Sequence, residues 1–338
     1  MFVYQFIKLK EEAHLFDTKI YLLKTFVSVF TAYMIAINHP LLRLDMISIL
    51  FGLMMTLEPV TISGIKSGFE QIYSTTIGAI STAVIISIFG INSITVALGV
   101  CFTLYICLRI NWRTVSPVAI FTAIYMTQFV QTNALGEPSP ILTFRLRIVA
   151  LIFGVCIAIV YNFIFSLFAY KSLPTKRILY IINEQINIIK DIKMTLETQD
   201  ISQLELIKEK VQEAFHNIDW IIKHINDMKN DFSMTRNKKE NIEPYKEIAF
   251  YIRSINHINY DTCFYLEHYK FQLDNTIESN QLETINNLLS NAYNGLNKKK
   301  ELDKVELKNT RKMNNRIKQN MDYMQNIALN ICKLIREL

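Results

Sequence analysis

The chain of 338 residues is 51% hydrophobic and 20% charged, with a formal net charge of +6. So small and dispersed an excess, without a DNA- or RNA-binding motif, argues against a nucleic-acid partner. Five cysteines with no CxxC pair or secreted-type spacing argue against a disulfide framework.

The charges are unevenly spread. Residues 1–170 hold ten Lys/Arg and seven Asp/Glu, and the remaining 168 hold 26 and 23, so each half carries +3. Within the first half, residues 71–108, 114–136 and 148–170 carry no charged side chain at all. That is a sequence written for hydrocarbon. After Tyr170 the composition turns to Lys, Glu, Asn and Ile at helical spacing, and Pro174 can open a new helix. The division expected is a transmembrane domain over 1–172 and a cytosolic α-helical bundle over 173–338.

In chain order, MFVYQFIKLKEEAHLF has charges where a signal peptide needs an apolar core, and reads as a retained amphipathic lead-in. A bilayer-crossing helix needs about 20 apolar residues. Spans are expected near 20–38, 44–58, 71–89, 93–108, 114–131 and 148–170, with Gly90, Asn92 and Ser93 as a turn. The second is short and stops at Glu58-Pro59. Between it and the third, Gly64-xxx-Gly68 with Ile62, Ile65, Phe69 and Ile72 reads as a surface-lying helix. With a cytoplasmic N-terminus, nine basic residues fall inside (Lys8, Lys10, Lys19, Lys66, Arg109, Arg113, Lys171, Lys176, Arg177) and three outside (Arg43, Arg145, Arg147). The positive-inside rule therefore places both termini in the cytoplasm of a multi-pass inner-membrane protein.

Glu58-Pro59 leads into Gln71-IYSTTI-Gly78, and Glu137-Pro138 leads into Arg147-IVALIF-Gly154. Each stretch closes a three-helix unit. Because three is odd, the second unit would enter the membrane inverted, giving a 3+3 inverted repeat. Gln71, Ser74, Thr75 and Gly78, echoed by Arg147, Ala150 and Gly154, resemble the pattern of the fusaric acid resistance and aromatic acid exporter superfamily (FUSC). The likeness covers about residues 20–170, and Gln71 stands where relatives often have Arg. The resemblance implies efflux of small organic or aromatic acids.

In the second half, residues 204, 207, 211, 214, 218, 221, 225 and 228 form an apolar stripe at 3-4 spacing. Ile178 to Leu196 repeats it with Gln185 as an intrusion, and so does Ile317 to Leu338. Ile248, Tyr251, Ile255, Ile258, Thr262, Tyr265 and Tyr269 form an aromatic-rich stripe. Helices that each bury one stripe make an antiparallel bundle, so the whole chain is expected to be all-α.

The histidines lack the one-turn spacing of helical metal ligands, and neither a phosphate loop nor a nucleophile elbow is present. No enzyme activity, cofactor or metal is expected. Ionisable groups at membrane depth are costly and therefore mark function. Lys24 could meet a carboxylate or snorkel to the surface, and Glu58 could exchange protons or merely end a helix. Arg109 and Arg113 share one helix face at the inner mouth, where they serve orientation or meet a leaving anion. Arg145 and Arg147 run against the charge bias, facing an outer vestibule. Tyr125, Gln128 and Gln131 are spaced as one polar face. Lys24, Glu58, Arg109, Arg113, Tyr125, Gln128 and Arg147 are the candidate substrate-binding residues.

With the resemblance to these exporters, the expected function is proton-coupled export of organic or aromatic anions by a homo-oligomer in the lipid bilayer. An organic-anion channel and a membrane-anchored interaction module without transport remain open.

Overall fold

The computed structural model describes residues 18–110, 112–128, 130–132, 136–169, 172–200, 202–231, 241–269, 275–298 and 316–338, excepting the side chains of residues 18, 112–116, 168–169, 269, 275–278 and 298. Among these residues the fold is all-helical, and its only β feature is an isolated bridge between Thr132 and Pro138. The chain divides into two compact units, one of residues 18–169 and one built on residues 170–338.

The first unit contains α1 (Thr18–Asn38), α2 (Met46–Thr56), α3 (Thr61–Phe89), α4 (Ser93–Ile110), α5 (Trp112–Gln128) and α6 (Pro140–Ala169). Four of these, α1, α3, α4 and α6, are long and apolar enough to cross a membrane. With 11 residues, α2 is only about 16 Å long, about half the hydrocarbon thickness, whereas the 17 described residues of α5 are about 26 Å long, at the short end of the spanning range. Among the described residues, four of the six expected spans are present at full length. The reason lies in the breaks: Glu58-Pro59 stops α2 because a residue before proline is driven out of the helical region.

The turns follow from local chemistry. Asp45 caps α2, its Oδ1 accepting from the Ser48 N–H at 3.1 Å and its Oδ2 from the Ser48 hydroxyl at 2.6 Å. After α3, Gly90 takes φ +70°, and Asn92 Oδ1 accepts from the N–H groups of Ile94 (3.0 Å) and Thr95 (2.9 Å) to start α4. The expected turn is thus present. The surface-lying helix around Gly64 is not, because residues 61–89 are one continuous helix. Gly64 and Gly68 are packed inside, against Asn162 and Val155.

Polarity in this unit is reversed relative to a water-soluble protein. The buried face of α3 is Ser63, Gly64, Gly68, Gln71, Ser74 and Thr75 and onward through Gly78 to Thr82, while Phe69, Tyr73, Ile80 and Val84 point outward. Phe26 on α1 is 69% exposed. Helices surrounded by lipid gain nothing by hiding apolar side chains from it and pack through small residues instead. The pattern suggests a unit that associates with a membrane. Helix α2 packs on α6, α5 packs on α3, and α3 and α6 pack on each other. Gly78 lies against the Ala119 carbonyl and Gly154 against the Ile49 carbonyl, so backbones meet directly at both places.

The second unit is a helical bundle of α7 (Leu173–Thr198), α8 (Gln203–Asn230), α9 (Glu243–Tyr269), α10 (Asn275–Lys298) and α11 (Arg316–Glu337). Its core is aliphatic, with the α8 stripe from Leu204 to Met228 buried throughout. On α9 the face differs from the aromatic stripe expected: Ile248, Ile252, Ile255, Asn259, Thr262 and Leu266 turn inward, and Tyr251 and Tyr265 flank them half-buried. Gln185 is met by partners. Its Nε2 donates to Asn256 Oδ1 (3.0 Å), its Oε1 accepts from Asn259 Nδ2 (3.0 Å), and Asn256 Nδ2 donates to the Val211 carbonyl (2.9 Å). Three buried amides thereby tie α7, α8 and α9 together.

His224 is buried in the bundle against Trp220, with ring centroids 4.0 Å apart. Burial first, and then the Arg177 charge, push its imidazole down to about 3 from the ordinary 6.5. Protons therefore bind the unfolded chain before the folded one. Stability from this group is complete above pH 6.5 and is lost as pH falls toward 3, at about 1.4 kcal/mol per pH unit. Thermal unfolding followed by Trp220 fluorescence in a Trp112→Phe background should fall more steeply between about pH 6.5 and pH 4.5 for His224 than for His224→Leu. Equal slopes would show that the imidazole is not held neutral.

Candidate functional site

The membrane unit has two polar clusters buried among apolar helices, both anchored on α6. Arg147 belongs to one and Asn162 to the other, about 22 Å apart along the helix axis.

The first cluster is centred on Arg147, which is 1% exposed. Its Nη1 donates to Ser48 Oγ at 3.0 Å, its Nη2 reaches Thr122 Oγ1 at 3.5 Å, and its Cζ lies 3.9 Å from the centre of the Tyr125 ring. Among the described residues the Arg147 Nε has no partner. Asp45, also buried, accepts from the Ser48 N–H and hydroxyl and from the Tyr125 hydroxyl, the last at 2.8 Å, and acts on Arg147 through its charge. Among the described residues the guanidinium is therefore a buried cation whose direct contacts are hydroxyls and an aromatic face, with a carboxylate nearby but not hydrogen-bonded to it. A planar guanidinium with a free N–H is suited to a carboxylate or another oxyanion.

The second cluster surrounds the break after α2. Lys24, 3% exposed, donates to the Glu58 carbonyl at 2.5 Å and to Asn162 Oδ1 at 2.7 Å. Asn162 also accepts from the Glu58 N–H (3.2 Å) and donates to the Thr56 carbonyl (2.8 Å). The Tyr21 hydroxyl donates to the Leu57 carbonyl at 3.1 Å. Gln71 Nε2 donates to the Phe51 carbonyl, and its Oε1 accepts from Thr56 Oγ1, both at 3.2 Å. Irregular backbone at membrane depth is tolerated only where protein groups replace the lost hydrogen bonds, and here three side chains do so, Tyr21, Lys24 and Asn162.

The structure thus brings Lys24 together with Glu58, and Tyr125 with Arg147, in two separate places. Lys24 does not snorkel; it is held inside. Arg109 is exposed beside the Tyr105 ring, 5.5 Å from its centre, and joins neither cluster. The Arg113 side chain lies outside the described residues. Tyr125 and Gln128 differ in burial: the tyrosine is buried, while Gln128 is exposed on the last described residue of α5. Asp45, Ser48, Gln71 and Asn162 complete the clusters. Asp45 was legible as a cap, in Asp-x-x-Ser before an apolar run. Asn162 is a lone amide in an uncharged segment, which a search for charges passes over. Among the described residues no three His, Cys, Asp or Glu side chains are placed to hold a metal ion.

Comparison with known proteins gives a distant likeness. The chain is 26% identical over 182 residues to a protein of Staphylococcus epidermidis strain ATCC 12228 called UPF0421 protein, and equally to its counterpart in strain ATCC 35984. The alignments cover 51% of this chain and 54% of the relatives, so the chain spans about half the length of the curated relatives it matches. That name assigns no activity. No family model matches the chain, and no solved structure matches it significantly.

Proposed function

We propose that the membrane unit exports small organic acid anions, aromatic carboxylates foremost, in exchange for protons. The observation that carries this reading is Arg147, a cation buried among apolar helices whose Nε–H is unpartnered among the described residues and on which Asp45 acts through charge without a direct hydrogen bond. An intramembrane cation is retained against a high desolvation cost, and an anionic solute is the partner that would repay it. Tyr125, whose ring lies under the guanidinium, adds an aromatic surface. The resemblance to the fusaric acid resistance and aromatic acid exporters points the same way.

The proposal includes a 3+3 arrangement with both ends in the cytoplasm, where the helical bundle would also lie. Support comes from the reciprocal packing of α2 on α6 and α5 on α3, and from Gly78 and Gly154 at corresponding close approaches. Two short helices beside four long ones fit the interrupted elements of secondary transporters. Assembly as a homo-oligomer is part of the same reading.

Purified protein in liposomes with an imposed pH gradient should accumulate benzoate-type carboxylates. Arg147→Gln should reduce the rate about tenfold, which corresponds to ~1.4 kcal/mol. Folding should survive, because all three hydrogen bonds to Asp45 come from other groups. Arg109→Gln, at an exposed position, should keep most of the rate. Flux that only dissipates an anion gradient would favour a channel, and no carboxylate flux at all would end the proposal.

A further inference from the structure

The interrupted backbone after α2 has the ligand chemistry of a cation site. At the C-terminal end of a helix the carbonyl groups point outward and carry the negative end of the helix dipole. Beyond α2 the Thr56 carbonyl accepts from Asn162 Nδ2 and the Leu57 carbonyl from the Tyr21 hydroxyl, while the Glu58 carbonyl and Asn162 Oδ1 both face Lys24. Oxygen atoms of this kind, supplied by unwound backbone and a side-chain amide, are what sodium and potassium take inside membrane proteins. The group actually touching two of these oxygens is the Lys24 ammonium, at 2.5 Å from the Glu58 carbonyl and 2.7 Å from Asn162 Oδ1. An ammonium is a compact monovalent cation on a flexible stem.

We infer that the Glu58 carbonyl and Asn162 Oδ1 form the core of a monovalent-cation site whose resident occupant is the tethered Lys24 ammonium, in the place a free alkali or alkylammonium ion would take. The site goes beyond the anion reading, since it lies at the other end of α6 and needs no transported solute. Its consequence is specific. The wild-type chain carries its own cation and is indifferent to sodium, potassium and small amines, whereas removal of the ammonium leaves a negatively polarised hollow that one of these ions fills. If Lys24 were only a hydrogen-bond donor closing a helix end, an apolar replacement would destabilise the protein without creating any response to ions.

The test uses full-length protein in detergent at constant ionic strength, with choline as the bulky comparison cation. Thermal midpoints are measured in titrations of sodium, potassium, ethylammonium and propylammonium for the wild type, Lys24→Ala and Lys24→Ser, the serine offering a further oxygen ligand. Both variants should melt several degrees below the wild type in choline. A small cation should restore a large part of that loss saturably, and Asn162→Leu added to either variant should abolish the response. If the variants fold too poorly in choline, extraction is carried out in each cation and the recovered folded fraction is the readout. Variants that respond to no cation, that yield no folded protein in any of them, or that respond no more than the wild type overturn the site. Because no anion is transported in these measurements, failure of the export reading would leave their outcome unchanged.

Discussion

Gly154→Ala is expected to leave little folded membrane unit. A Cβ at this position would lie 2.1 Å from the Ile49 carbonyl oxygen and 3.0 Å from the Leu53 nitrogen. Both atoms are backbone, so no side chain can swing aside, and α2 and α6 must separate along their whole contact. Overpacking of this kind costs about 1–3 kcal/mol and sometimes more. Gly78→Ala should behave alike, since its Cβ would sit 2.2 Å from the Ala119 carbonyl. Gly99→Ala provides the contrast. Its nearest neighbour would be Thr82 Cγ2 at 3.5 Å, and alanine in place of a helical glycine gains up to ~1 kcal/mol. Monodisperse yield and thermal midpoint of the three variants are the readouts. Gly154→Ala protein that is as stable as Gly99→Ala would mean that α2 and α6 are not in backbone contact.

Asn162→Leu should be the most damaging single change at the break. The fully buried amide satisfies the Thr56 carbonyl, the Glu58 N–H and the Lys24 ammonium at once. Each buried polar group left unpaired costs about 1–3 kcal/mol, and the ammonium more. The change would also press a branched side chain toward Gly64, which approaches Asn162 so closely that a Cβ there would lie 2.1 Å from Nδ2. Asn162→Asp retains both acceptor roles and gains charge attraction to Lys24, against an oxygen–oxygen repulsion where it loses the donor to the Thr56 carbonyl, so it should keep more stability than Asn162→Leu. Unfolding midpoints in detergent check the order, and an Asn162→Leu protein that melts with the wild type would refute the assignment of these bonds.

Much of this architecture was legible in the sequence. Charge-free runs located the apolar helices, and the glycines of the two matched segments, Gly78 and Gly154, proved to be the points where backbones meet. The 3-4 stripe of α8 was buried at every expected position. What misled was local ambiguity. Gly64-xxx-Gly68 offers a small face that suits a surface helix as well as the interior of a longer one, and only α6 packing against it decides. Tyr125 and Gln128, three residues apart, fit one polar face, but only Tyr125 is covered by neighbouring helices, and Gln128 is exposed. On α9 the apolar spacing does not mark Asn256 and Asn259, which partners on α7 and α8 bring inside. The two polar clusters were half visible: Lys24 and Arg147 stood out as charges, whereas Asn162 and Gln71 act through neutral amides whose value depends on a broken helix beside them.

The three-amide layer formed by Gln185, Asn256 and Asn259 gives the bundle a mechanical character that aliphatic packing alone would not. Isoleucine contacts slide at low cost, but amide pairs are directional and have one register. A pull on α7 is therefore resisted rigidly until the layer breaks, and then yields abruptly, as a shear pin does.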